Sequence, residues 1–167
     1  GIGATFGAAF AKAQQATGFS VPIRGAVFVT VNDNDKPSVL PIVTQLAELG
    51  FRIVATGGTA EYLQARGLQL RTIYKISEGR PNVLDMLKNG EIDIVINTPL
   101  GRESFRDEMS MRRECYAHNV LLLTTMSAAR ATVEAVRAQR GNGLTPIALQ
   151  DLHQSWQVRQ SAHVSKQ

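Results

Sequence analysis

Five short apolar runs rich in β-branched residues recur along the chain, each separated from the next by a segment with helical spacing, and this alternation limits the fold more than any other feature. The runs are Ala26 to Val31, Phe51 to Ala55, Leu70 to Tyr74, Asp93 to Asn97 and Val120 to Leu123. Each has about the length of a buried strand. Helices are predicted from Asp35 to Gly50 and over Ala60 to Arg66, Asn82 to Lys88, Met109 to His118 and Ala128 to Arg137. Strands separated by helices cannot pair as hairpins, so the crossovers force parallel pairing. The expected fold is α/β: a doubly wound five-stranded parallel sheet flanked by helices on both faces, with a ligand site at the C-terminal ends of the strands.

Local signals refine this outline. Asp35 is placed to cap the first of these helices and Pro37 suits its first turn, whereas Pro41 implies a late start or a kink. Val39, Ile42, Val43 and Leu46 fall on one face. Ahead of the first strand, Thr5 to Gln14 reads as a further helix with Phe6 and Phe10 on one stripe, and Gly18 to Gly25 reads as a linker. The first residue is Gly1 rather than methionine, so the chain is expected to be an excerpt of a longer one. Three regions result: residues 1–24 as the end of a preceding domain plus linker, 25–159 as the α/β domain, and 160–167 as a fraying tail.

Composition narrows the function classes. With 167 residues and 44% hydrophobic content, the chain has the length of one domain that buries about two-thirds of its extended surface. Its apolar runs are too short to span a bilayer. Cys115 is the single cysteine, which excludes an intrachain disulfide and points to a reducing cytoplasm, and no zinc-like spacing joins it to His118, His153 or His163. The net charge of +4 is spread along the chain among few aromatics, so small phosphorylated ligands account for it as well as nucleic acid does. No partner nucleic acid or membrane is expected.

Several polar residues converge on one sheet edge. Thr56-Gly57-Gly58-Thr59 lies between a predicted strand and helix, where glycines let a ligand approach the backbone and hydroxyls can donate to phosphate oxygens. Taken alone it is equally a tight turn with Thr59 as N-cap. Lys36 follows the first strand, Lys75 the third, and Asn97-Thr98 the fourth. Arg80, in the loop Ser77 to Asn82, can fork onto a phosphate or carboxylate, and Arg102, Arg106, Arg112 and Arg113 cluster around Asp107 and Glu108 at the pocket mouth or in exposed ion pairs. The chain contains no metal constellation, no nucleophile elbow and no nucleotide-hydrolysing phosphate loop. Lysines, hydroxyls and glycine amides, with no proton-abstracting carboxylate in reach, suit holding an anion better than transforming it.

Ala55 to Ala60, Lys75 to Pro81, Lys88-Asn89-Gly90-Glu91 and Ile96-Asn97-Thr98-Pro99, in that order, resemble the methylglyoxal-synthase-like superfamily, and most closely the C-terminal allosteric domain of carbamoyl phosphate synthase large chains. Gly3 to Gln14 resembles the last helix of the second ATP-grasp half of those chains. The resemblance implies a regulatory domain that binds nucleotide monophosphates of the UMP or IMP kind through Lys36, Thr56, Thr59, Lys75 and Asn97, joined by Thr30, with Arg102, Asp107, Arg112 and Arg113 as weaker matches. Gly57, Gly58, Arg80 and Thr98 complete the expected effector site. Thr124 matches a position on the ornithine side; Leu122 stands where enteric-type relatives have tyrosine, and Pro99 where they have a second threonine. Implied partners are the remainder of the large chain, the small glutaminase subunit and further copies of the domain. The implied parent enzyme consumes ATP with magnesium to make carbamoyl phosphate for arginine and pyrimidine synthesis, and no cofactor is expected in this fragment. A free methylglyoxal synthase is the rival reading, but it needs a carboxylate in the loop that here carries Arg80.

Overall fold

The structure, a computed structural model, describes residues 1–98, 104–151 and 153, with all side chains there except those of residues 104–106 and 142. Pro99, Arg102, Trp156 and the 160–167 tail lie outside the described residues. Five strands form one sheet: β1 (Ala26–Val31), β2 (Arg52–Thr56), β3 (Arg71–Ile73), β4 (Ile94–Thr98) and β5 (Leu121–Leu123), in the spatial order β3-β2-β1-β4-β5 with every pairing parallel. The helices are α1 (Phe6–Ala16), α2 (Lys36–Glu48), α3 (Gly57–Gln64), α4 (Val83–Lys88), α5 (Ser104–Ala117) and α6 (Met126–Asn142).

The two-residue period of each strand divides the core in two. Val27, Val29, Ile53, Ala55, Ile94 and Ile96 meet the apolar stripes of α2, α3 and α6, whose buried members include Val43, Leu46, Leu63 and Val133. Ala26, Phe28, Val54 and Val95 face the other way, onto Val83, Met86 and Leu87 of α4 and Met111 and Cys115 of α5. Strand order reverses between β1 and β4, which places the switch point of the doubly wound sheet at their C-terminal ends.

Several boundaries differ from the sequence reading, each for a local reason. The helix after β1 starts at Lys36, so Pro41 causes no late start; it stands inside α2 on the exposed face. Asp35 occupies the N-cap position without a side-chain capping bond, because its carboxylate accepts from Asn32 Nδ2 at 2.7 Å instead. The helix after β2 begins at Gly57 rather than Ala60: Thr56, in extended conformation, enters it with no intervening loop. Thr59 is therefore inside α3 and is not its cap. Helices α5 and α6 each run beyond the predicted Met109 to His118 and Ala128 to Arg137 at one or both ends.

Helix α1 lies against α6, with Gly7 and Ala11 buried and Thr5 capping its start at 3.2 Å from the Ala8 amide. The segment that follows is tied down as well: Val21 joins the core, and Gln139 Nε2 and Arg140 Nε donate to the carbonyls of Val21 and Ile23 at 3.3 and 2.8 Å.

Short α4 depends on a capping box. Asn82 accepts from Leu84 N at 3.0 Å while the Asp85 carboxylate accepts from Asn82 N at 3.1 Å. Asn82 Nδ2 also donates to Gly79 O at 2.8 Å, fixing the preceding loop. Asn82→Ala should lower unfolding free energy by about 1–2 kcal/mol in chemical denaturation. An unchanged midpoint and slope would show that the box contributes nothing.

Candidate functional site

On the α4 and α5 face of the sheet each of the three central strands reads apolar, then polar at its C-terminal end: Phe28 then Thr30, Val54 then Thr56, Val95 then Asn97. Pairing aligns the polar members. Thr30 is in register with Asn97, and Thr30 and Thr56 follow the Val29–Ala55 pair, with their hydroxyls 3.0 Å apart. Thr56 and Asn97 are buried. This row forms the floor of a cavity of about 320 Å³ at the switch point. Lys75, Ile76 and Ser77, in the loop after β3, line it on one side, and Asp107, Glu108 and Met111 of α5 on the other.

The structure therefore brings Thr30, Thr56, Lys75 and Asn97 together around one cavity, as the sequence predicts. Lys36 and the glycines sit beside it. Lys36 Nζ comes within 3.6 Å of the position a Cβ on Gly58 would occupy, and it pairs with the exposed Asp33 at 2.7 Å, holding that carboxyl below its usual range chiefly through the hydrogen bond and also through the charge. Nothing lies within 4 Å of a Cβ built on Gly57, so this first residue of α3 borders open space.

Other predicted residues are engaged elsewhere. Thr59 is buried, and its hydroxyl accepts from Val31 N at 3.3 Å and donates to Val31 O at 3.4 Å, clamping α3 to the end of β1. Thr98 accepts from Asn32 Nδ2 at both its hydroxyl (3.2 Å) and its carbonyl (3.1 Å), which links the ends of β1 and β4. Arg80 is exposed and extends to Asp85, Nε to Oδ1 3.5 Å, rather than into the cavity. Thr124 and Leu122 line a separate groove of about 320 Å³ between α5, β5 and the N-terminal segment, with Gln14 and Phe19 on its far wall. Cys115 reaches that groove too; burial pushes its thiol up to about 12, so it is a protonated, unreactive packing group at neutral pH.

One expectation is overturned. Two carboxylates do reach the cavity, Asp107 and Glu108, supplied by α5 rather than by the loop after β3. Glu108 forms a close ion pair with Arg112 one helical turn on. The cavity thus offers hydroxyls, an amide and a cation on one side and carboxylate acceptors on the other. It fits a ligand with an anionic end and a hydrogen-bond-donating end. Among the described residues, no group of three or more His, Cys, Asp and Glu side chains is arranged to hold a metal, and no helix is long and apolar enough to cross a membrane.

A family model described as MGS-like domain matches residues 38–124, just over half of the chain, including the Thr56 to Thr59 and Lys75 to Pro81 segments. The chain belongs to the MGS-like domain family. This MGS-like domain is 43% identical over 159 residues to the carbamoyl phosphate synthase large chain of Acidobacterium capsulatum, covering 95% of this chain and 14% of that one. It is 46% identical over 153 residues to the large chain from Pseudomonas syringae pv. tomato, covering 92% and 14%. With the separate C-terminal section of the large chain in Methanopyrus kandleri it shares 42% over 162 residues, covering 96% and 30%. The chain spans only that small share of each relative's length. Its fold resembles the crystal structure of methylglyoxal synthase from Elizabethkingia anophelis, with a TM-score of 0.56 at 20% identity over 68% of this chain and 79% of that one, which shows the architecture and no more.

Proposed function

We propose that this MGS-like domain is the regulatory module of a carbamoyl phosphate synthase large chain, in which a nucleotide monophosphate of the UMP or IMP kind occupies the switch-point cavity and sets the rate of carbamoyl phosphate synthesis. The observation that carries the reading is the in-register row Thr30, Thr56 and Asn97 facing Lys75 across a cavity large enough for a small phosphorylated ligand. Hydroxyls and an amide fixed on rigid strands orient the phosphate; the lysines supply charge. Close sequence similarity to large chains over nearly the whole domain supports the parent assignment. On that assignment its partners are the remaining large chain and a small glutaminase subunit, the magnesium-ATP chemistry belongs to those parts, the setting is the cytoplasm, and the product feeds arginine and pyrimidine synthesis.

Ornithine is assigned to the separate groove at Thr124 and Leu122, whose far wall includes Gln14 of α1. A ligand there touches α1, which on the parent assignment leads back to the rest of the large chain, and a coupling of about 1–3 kcal/mol between effector and catalysis needs only unequal affinity for two states.

Calorimetric titration of the domain with UMP, IMP and ornithine tests the proposal. Saturable one-site binding of at least one nucleotide supports it; no binding of either defeats it. Asp107 and Glu108 lend a second reading some support, because a lyase acting on dihydroxyacetone phosphate requires a carboxylate base. Sustained phosphate release from that substrate, abolished in Asp107→Asn, would establish the lyase instead.

A further inference from the structure

We infer that Glu78 is a built-in competitor for the ligand's phosphate, a carboxylate paired with Lys75 that the phosphate must displace on binding. The inference rests on the reading of the cavity as an anion site. Residues 75–78 form a closed turn, with Glu78 N donating to Lys75 O at 3.0 Å. Within it the Glu78 side chain folds back over the lysine: Oε2 accepts from Lys75 N at 3.1 Å and Oε1 lies 3.4 Å from Lys75 Nζ. The backbone hydrogen bond draws its carboxyl below the usual range, with the Lys75 ammonium adding to the effect, so the group is anionic at neutral pH.

Placement makes this more than an ordinary surface pair. Lys75 lines the cavity, whereas Glu78 lines a second depression together with Gly57, the first residue of α3. The carboxylate therefore stands beside the cation that a phosphate would use, in a depression it shares with the first residue of α3. An exposed pair of this kind contributes little in water, so a dianionic ligand can displace it at small cost. Beyond the turn, Asn82 Nδ2 holds Gly79 O at 2.8 Å and the capping box fixes α4, so the rearrangement is confined to residues 75–79. Binding is thereby converted into a local change in a surface loop, and the affinity threshold is set by one carboxylate.

The test compares wild type, Glu78→Gln and Glu91→Gln by calorimetry with UMP, IMP and inorganic phosphate. Glu91 makes the control because it pairs with Arg71 at 3.8 Å rather than with Lys75, and its substitution changes net charge equally. Glu78→Gln is expected to bind the nucleotide about 2- to 5-fold tighter, and Glu91→Gln to match wild type. Nucleotide saturation should also speed exchange of the Lys75 amide proton in wild type, and leave it unchanged in Glu78→Ala, where the acceptor is already gone. Binding by wild type with no gain in Glu78→Gln, or with an equal gain in Glu91→Gln, overturns the competitor and leaves the site standing. If none of the three probes binds any of the three proteins, the site and the competitor fall together.

Discussion

Gly7→Ala should cost the domain about 2 kcal/mol of unfolding free energy, although alanine is the better helix former. A Cβ at Gly7 would stand 2.2 Å from the Glu134 carbonyl oxygen and 2.5 Å from its carbon, both backbone atoms of α6. No side-chain rotation relieves such a contact. Helix α1 must move off α6 as a unit and uncover the buried Ala11. Helix propensity returns up to about 1 kcal/mol, less than overpacking against a rigid backbone typically takes, so destabilisation wins. Denaturant unfolding followed by circular dichroism measures the difference. A Gly7→Ala protein as stable as wild type would mean that α1 does not hold the close approach described here.

Lys75→Ala and Lys36→Ala should each weaken nucleotide monophosphate binding about 10- to 100-fold, because each removes a charge-assisted bond to phosphate worth about 1.5–3 kcal/mol. Neither should unfold the domain, since the two side chains are 55% and 17% exposed and, among the described residues, form salt bridges only with the surface carboxylates Glu78 and Asp33. Calorimetry together with thermal melts separates the two effects. Wild-type affinity in both variants would remove the lysines from the site; a collapsed melt in either would show that the residue is structural. Thr59→Ala is expected to act differently. Its hydroxyl clamps α3 to β1, so that variant should lose stability along with any affinity.

The site was legible in part. Lys36 and Lys75 each follow a strand and Asn97 lies at the C-terminal end of one, and strands of a parallel sheet point the same way, so their common edge could be read from spacing alone. The position of Thr59 could not, because its role depends on the helix starting at Gly57 with no loop before it. Asp107 and Glu108 were visible as a charged cluster, yet nothing local told whether α5 turned them toward the cavity or toward solvent. A usable signal was present in the strand ends: residues 28 and 30, 54 and 56, 95 and 97 each pass from apolar to polar on one face.

By itself, then, the sequence determined the strand and helix alternation, the parallel sheet and the sheet edge on which Lys36, Lys75 and Asn97 gather, since these follow from periodicity and chain connectivity within a few residues. The tertiary structure decided the register that sets Thr30 opposite Asn97, the arrival of the α5 carboxylates and the docking of α1 on α6 through Gly7. Those depend on contacts between residues far apart in the chain. Which partner a side chain meets there is settled by the packing of whole elements, and no local pattern encodes it.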